Sequence, residues 1–380
     1  MNDPGQLVPG PREWSCEFGD AAAGGVWTEA VPGSGQDAEP LFVHHHATGH
    51  GIIGVFDGSG GAGSTPAYWT SDGKPRTGAW LGARVARTAL ESWFGVSVQD
   101  RARFEVADLE TRLAQMLAAM RPTTPSRIVG RMHKELPTTM AALQYRLQHG
   151  AADCRALWAG DSRAYVLTPG DGLQVLSRDH TEEEDGLVQL LQDPPLANVI
   201  CADAPFFVQE QRLSFELPCV LLCATDGFFG YVQTPAHFEY RLLAVLQGSE
   251  SMADWCRRLG REISGYAADD ASLSVVALGF AGFPSLRAAF AGRGRHLEHL
   301  YWRGRPRESP GPLDGRRPDG PGAEERADRR EREWRQQTWD SYRGVYERLM
   351  PPPALEREHE TRRHDQRLPG DHPAGERRRG

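Results

Sequence analysis

Ile52-Ile53-Gly54-Val55-Phe56-Asp57-Gly58-Ser59-Gly60-Gly61 opens as an apolar run of strand length and stops on an Asp-Gly pair followed by glycines. Val220-Leu221-Leu222-Cys223-Ala224 does the same and ends on Thr225-Asp226-Gly227. Both read as buried strands. A third acidic pair, Asp269-Asp270, lies just before the apolar run Leu273–Leu278, and Asp37 lies shortly before Leu41-Phe42-Val43. In an antiparallel sheet the start of one strand neighbours the end of the next. Two acids at strand ends and two before strand starts can therefore converge on one edge.

Outward from these runs, Arg155–Trp158 and Ala164–Leu167 also have strand length and composition, whereas Trp80–Trp93, Phe104–Met120 and Ser251–Tyr266 carry apolar residues at helical spacing. Strands, a helix pair, then more strands and helices read as α+β, one core with helices packed on sheets. The spacing predicts a body over residues 1–290. Residues 291–380 read as a tail rich in Arg, Pro and acidic residues, mostly disordered, with one helix near 323–350 that Pro351–Pro353 would end. Two readings of that helix stay open: a site for a partner, or a strap docked on its own body.

Carboxylates gathered on an apolar edge repel one another, and burying them unpaired is costly. Basic neighbours are lacking in sequence, since no Arg or Lys occurs between Arg12 and Lys74. Protonation or a divalent cation remains as the remedy, and all-oxygen donors favour Mg²⁺ or Mn²⁺ over Zn²⁺. The glycine after each aspartate lets the backbone come close to an ion. One Asp-Gly is an ordinary turn; two on apolar strands, with two further placed acids, point to a metal site.

The 380 residues carry a net charge of −8, and that total averages two unlike parts. The tail carries about +4 and the body about −12. With 39% hydrophobic residues the chain has material for a core, which excludes a wholly disordered protein, and the negative balance argues against nucleic-acid binding. Six cysteines without a CxxC pair read as buried free thiols in a reducing compartment. No basic-then-apolar leader and no apolar run of roughly 20 residues is visible, so neither secretion nor a membrane is expected. The expectation is a cytoplasmic monomer.

The order of the motifs resembles the metal-dependent protein phosphatase 2C (PPM) family, in a bacterial-like form. Val55-Phe56-Asp57-Gly58-Ser59-Gly60-Gly61 is similar to its DGHGG signature, Pro137-Thr138-Thr139-Met140 to its GTT segment, and Ala159-Gly160-Asp161-Ser162-Arg163-Ala164 to its GDSRA turn. Arg178-Asp179-His180-Thr181 resembles the downstream DH, Cys223-Ala224-Thr225-Asp226-Gly227 the SDG motif, Asp269-Asp270-Ala271-Ser272 the closing DDxS, and Gln36-Asp37 the N-terminal NQD. The match runs from about residue 14 to 280. The resemblance implies a four-layer αββα sandwich with two Mg²⁺ or Mn²⁺ ions at one end, and hydrolysis of phosphoserine and phosphothreonine in proteins, a Ser/Thr kinase or its targets among them. It implies that Asp57 bridges both ions with Gly58 lending its carbonyl. Asp226 and Asp269 would complete the first shell, Asp37 would lie beside the second ion, and Asp161 would serve a third. A metal-bridged water would attack phosphorus in line, at ions about 4 Å apart.

Three departures qualify this. Pro32 falls near the place of the family's phosphate-binding arginine, for which Arg12, Lys74 or Arg76 would have to substitute. Gln36 replaces a common Glu, a poorer ligand for a hard cation. Ser59 replaces a histidine able to protonate the leaving oxygen, and serine is a poor acid near neutral pH. The alternatives are therefore a PPM-like binding or scaffold module with little catalysis, or an assembly protein acting through the tail helix. His44-His45-His46 with His50 reads as structural, because neighbours on a strand point to opposite faces; His180 reads as a hydrogen-bonding residue. Spaced glycines at 58–63 lack the Gly-Lys-Ser/Thr of a nucleotide loop. Leu187–Phe207 is expected as a variable flap near the site.

Overall fold

A computed structural model describes residues 12–353 apart from 72, 100–103, 122–133, 184, 193, 304 and 306–322. The chain divides into two units, Met1–Met350 and Pro351–Gly380, and the first holds every element below. The stretches read as a disordered tail, 306–322 and 354–380, lie outside the described residues.

Two antiparallel sheets carry the body. The first runs, edge to edge, β1 (Arg12–Phe18), β2 (Ala21–Thr28), β13 (Ala271–Leu278), β12 (Cys219–Ala224), β9 (Arg163–Thr168) and β10 (Gly172–Val175). The second runs β11 (Gln209–Glu216), β8 (Ala151–Ala159), β7 (Met140–Gln148), β4 (His50–Val55) and β3 (Leu41–His45). A small hairpin, β5 (Pro66–Trp69) with β6 (Pro75–Thr77), stands apart. Helices fill the connections: α1 (Gly60–Gly63), α2 (Gly78–Gln99), α3 (Val106–Ala119), α4 (Gly186–Gln192), α5 (Asp226–Phe229), α6 (Pro235–Gln247), α7 (Met252–Ile263), α8 (Phe283–Leu297) and α9 (Ala323–Tyr346).

Side-chain alternation explains why the central strands are apolar throughout. On β12, Cys219, Leu221 and Cys223 join Ile53, Val55, Ala141, Leu143 and Trp158 in the core between the sheets. Their neighbours Val220, Leu222 and Ala224 face the other way, against Phe238, Leu242, Trp255 and Leu259 of α6 and α7. The outer face of the second sheet is covered by Leu90, Trp93, Leu109 and Leu113 of α2 and α3. Each central strand is thus buried on both faces, and the layers are helix, sheet, sheet, helix. The expected α+β sandwich is the observed fold.

Five cysteines are buried and free, as expected, but Cys16 is exposed, because the edge strand β1 turns it outward. The boundary placed at residue 290 falls inside α8, whose Phe290 and Leu297 are buried in the same core as α6 and α7. The predicted tail helix is α9, and it docks on its own body. Trp339, Tyr342 and Tyr346 lie buried in that core, and the Tyr342 hydroxyl donates to Glu239 Oε2 at 2.5 Å. Glu239 is itself paired with Arg293 at 2.8 Å. Among the described residues no helix is long and apolar enough to cross a membrane.

Candidate metal centre

β4 and β12 belong to different sheets but end at the same rim of the sandwich, and the chain leaves each through an aspartate. After β4, the Asp57 carbonyl accepts from Thr138 Oγ1 at 2.6 Å and from Thr139 N at 2.9 Å, which fixes the turn. Gly58 follows where a Cβ would meet Ala79 O, Gln36 Cβ and Gln36 O, all at 2.9 Å, so only glycine fits. After β12, Thr225 precedes Asp226 at the first position of α5, and Asp226 Oδ1 accepts from Gly227 N at 2.7 Å. A Cβ on Gly227 would stand 1.9 Å from the Asp270 carbonyl, so the segment before β13 presses directly on this turn.

Asp37 is brought to these two by side chains that sequence reasoning did not single out. Its Oδ2 accepts from Ser272 Oγ at 2.7 Å and Thr225 Oγ1 at 3.2 Å, one from each of the adjacent strand ends. Arg84 of α2 donates to the Gln36 carbonyl at 3.0 Å and the Asp37 carbonyl at 3.0 Å, holding the loop from behind. Thr225 and Ser272 lay within quoted motifs; Arg84 sits in an ordinary amphipathic helix and gave no signal. Asp270 fastens the same loop, accepting from Ala30 N at 2.8 Å and Gln36 N at 2.5 Å.

Asp161 arrives from the β8–β9 turn. Gly160 has φ +94°, and a Cβ there would meet Thr139, so the turn requires glycine. Ser162 Oγ shares a hydrogen bond with Thr139 Oγ1 at 2.6 Å, tying this turn to the one that holds Asp57. Arg163 forms a two-pronged buried pair with Asp179, Nη2 to Oδ2 at 2.7 Å and Nε to Oδ1 at 2.9 Å. His180 takes the structural role expected of it: Nδ1 accepts from Gly160 N at 3.0 Å and Nε2 bonds Gln209 Oε1 at 2.9 Å. The His44 ring packs against Phe18 and His46, and its Nδ1 bonds Tyr145 OH at 3.1 Å, away from the aspartates in both partners and role.

The electrostatics follow from crowding. Burial pushes the Asp57 carboxyl well above the usual range, and the charges of Asp37, Asp226 and Asp161 add to the shift. Asp161 is raised by burial first and by Asp226 next. Asp37 is raised by burial first and by the charge of Asp270 next, and Asp57 lies close enough to act on it as well. Asp37 Oδ1 and Asp161 Oδ1 are buried oxygens with no hydrogen-bond partner. Asp37, Asp57, Asp161 and Asp226 are thus electrostatic neighbours. Asp269 is not among them: it stands exposed next to Asp270, its Oδ1 accepting from Asp270 N at 2.8 Å.

Oxygen-only donors, neighbouring carboxyls and buried oxygens lacking hydrogen-bond partners suit a hard divalent cation in chemistry. Among the described residues, however, no group of three or more His, Cys, Asp or Glu side chains is set closely enough to hold a metal ion. Of the basic residues that could serve in place of the missing arginine, Arg76 donates from Nη1 to the Gly33 carbonyl at 2.7 Å, and Arg12 lies 3.5 Å from Glu29. Both therefore lie by the loop that leads to Asp37.

No protein-family profile matches the chain, and no curated protein matches it. Solved structures of Ser/Thr phosphatases of the PPM type are similar to it. The PPM Ser-Thr phosphatase MsPP from Mycobacterium smegmatis is 14% identical with a TM-score of 0.42, over 68% of this chain and 98% of that one. The serine/threonine phosphatase Stp1 from Staphylococcus aureus is 13% identical with a TM-score of 0.45, over 73% and 98%. PppA, a regulatory component of T6SS in Pseudomonas aeruginosa, is 21% identical with a TM-score of 0.42, over 71% and 99%. These are likenesses of fold, and they say nothing of activity.

Proposed function

We propose that this chain is a Mg²⁺- or Mn²⁺-dependent protein serine/threonine phosphatase of the PPM type. The observation that carries the reading is the meeting of Asp37, Asp57, Asp161 and Asp226, from four separate segments, at a cost that cation binding would remove. In this reading Asp57, the Gly58 carbonyl, Asp226, Asp269 and Asp37 would hold two cations, and Asp161 would hold a third. Cations held there supply a lowered pKa for water and neutralise charge on the phosphoryl group being transferred.

The protein's own part is orientation. Ser272 and Thr225 hold one oxygen of Asp37 and leave the other without a hydrogen-bond partner. Thr138 and Thr139 hold the Asp57 turn by its carbonyl, leaving the carboxyl to act. Ser59 leaves no side chain of suitable acidity in its place, so the leaving oxygen takes its proton from water. The substrates are phosphorylated proteins, a Ser/Thr kinase or its targets among them, and the five buried free thiols favour a reducing, cytoplasmic setting.

The lack, among the described residues, of three or more side chains set to hold a metal ion and the loss of the family's Arg and His at Pro32 and Ser59 favour a second reading, a PPM-like module that binds and does not hydrolyse. Protein stripped with EDTA and assayed on p-nitrophenyl phosphate separates the two. The phosphatase reading expects activity only after Mn²⁺ or Mg²⁺ is restored. Manganese binding with no turnover on this ester or on phosphothreonine peptides would establish the second reading instead.

A further inference from the structure

Among the described residues, seven large apolar side chains stand exposed: Val31, Tyr68, Trp69, Val96, Met120, Tyr231 and Leu300. Four of them sit on segments that carry or hold the aspartates. Val31 (62% exposed) lies in the loop that Asp270 fastens at Ala30 and Gln36, just before Asp37. Tyr231 (43%) follows α5, whose first residue is Asp226. Tyr68 (43%) and Trp69 (59%) lie on β5, in the hairpin inserted between the Asp57-Gly58 turn and α2. Exposed apolar groups scattered singly are ordinary, but a group gathered beside one site marks a surface that meets something.

The hairpin is braced. Gly78 N donates to the Thr65 carbonyl at 2.9 Å across its base. Arg76 of β6 donates to the Gly33 carbonyl at 2.7 Å, which ties the hairpin to the loop of Val31. The Tyr68 ring stacks on Trp80, with centroids 6.2 Å apart and planes 5° from parallel, and the Arg84 guanidinium lies 4.0 Å from the same Trp80 ring. Arg84 is also the residue that holds the Asp37 loop. An aromatic surface already ordered loses little freedom on binding. Two cations lie alongside: Arg76 and Arg84 flank the Trp80 ring, both bonded to carbonyls rather than to carboxylates, with Glu29 of the facing loop the acid near them. Apolar, rigid and cationic together suit an anionic polypeptide segment with apolar side chains.

We propose that β5 and β6, with Val31, form a docking arm for a phosphorylated polypeptide segment that carries a bulky apolar side chain beside its phosphorylated residue. The proposal rests on the phosphatase reading for the placement of the phosphate, and it assigns to the arm the choice among protein substrates. Small esters, which have no flanking residues, do not use it.

The test uses the full chain with Mn²⁺ and two fluorescein-labelled peptides, each with a non-hydrolysable phosphonate in place of phosphothreonine, flanked either by Phe or by Gly. Fluorescence anisotropy should find the Phe-flanked peptide bound about tenfold more tightly, with Trp69→Ala or Tyr68→Ala abolishing most of that preference. Hydrolysis of p-nitrophenyl phosphate should stay within about twofold in both variants, the range expected of exposed positions. Equal binding of the two peptides by the unaltered protein, or a preference that survives both substitutions, would overturn the proposal. So would a parallel loss of p-nitrophenyl phosphate turnover, because the side chains would then act through the centre. A Trp69-dependent preference in a protein that hydrolyses nothing would support the arm and defeat the phosphatase reading.

Discussion

Ser272 Oγ donates to Asp37 Oδ2 at 2.7 Å, joining residues 235 positions apart at the point where β13 begins. The bond occupies Oδ2 of Asp37, and Oδ1 is left buried without a hydrogen-bond partner. A hydrogen bond to a charged acceptor contributes about 1.5–3 kcal/mol. Ser272→Ala is expected to weaken Mn²⁺ binding roughly tenfold, an effect of that size. Calorimetric titration with Mn²⁺ measures it, and unchanged affinity would separate Ser272 from the centre.

Removing one of the crowded carboxyls should relieve the metal-free protein. Asp57→Asn keeps the shape, deletes the charge, and leaves a donor for Asp37. In EDTA the variant is expected to melt above the unaltered protein, by at most about 2–4 °C for each kcal/mol gained, since the shift shrinks as the folded domain grows. With Mn²⁺ the order should reverse, since binding stabilises only the protein that holds the ion. Thermal melts in EDTA and in Mn²⁺ give both signs.

Gly227→Ala should be among the most damaging small substitutions. The added carbon would stand 1.9 Å from the Asp270 carbonyl, so one of the two turns that carry acids must move. A fall of at least 100-fold in metal-dependent activity is expected, the scale reached when reacting groups are displaced by about 1 Å. Activity within a few-fold of the unaltered protein would contradict the placement of these turns.

Acid should loosen the packing around α9. His237 of α6 is buried between the Trp302 and Trp334 rings, and burial, with Arg241 and Arg305 nearby, lowers its pKa to about 3. A histidine so depressed stabilises the fold fully above its unfolded pKa of about 6.5. That contribution is lost as pH falls from there toward 3, because the unfolded chain binds the proton first. The loss is at most about 1.4 kcal/mol per pH unit. His237→Gln should therefore flatten the decline of stability between pH 6.5 and 4.5 in urea melts, and parallel curves for the two proteins would refute the assignment.

The α9 strap itself is part of the core. Trp339 is fully buried, and Trp339→Ala should destabilise the fold by about 3–5 kcal/mol. Chemical denaturation measures this, and a loss below about 1 kcal/mol would mean that the helix is not packed as described.

Particular residues explain what the sequence revealed and what it concealed. β4, β12 and β13 were legible because burial on both faces demands unbroken apolar runs, and the aspartates marked their ends. β2, Ala-Ala-Ala-Gly-Gly-Val-Trp-Thr, was not read as a strand. Its glycines exist for contact: Cys256 Sγ and the Trp14 ring each stand 2.4 Å from where a Cβ of Gly24 and Gly25 would be. β11 alternates Gln, Glu, Gln, Arg with little apolar signal because it is an edge strand half open to water. The boundary at 290 divides α8 because its glycines and arginines hide Phe283, Leu286, Phe290 and Leu297, the few residues that dock it. At the centre, the aspartates were visible as types in order. Arg84 and the division of labour between Asp269 and Asp270 required the folded chain, because both depend on which backbone groups lie across the rim.

The convergent aspartates are proposed to make a cation-dependent hydrolytic centre. The initial rate of phosphothreonine-peptide hydrolysis, followed as Mn²⁺ is added back to EDTA-stripped protein, tests it most directly. The unaltered chain should rise from no activity to a plateau, and Asp57→Asn with Asp226→Asn should stay at the baseline at every Mn²⁺ concentration. A rate independent of Mn²⁺, or one that survives the double substitution, would contradict it.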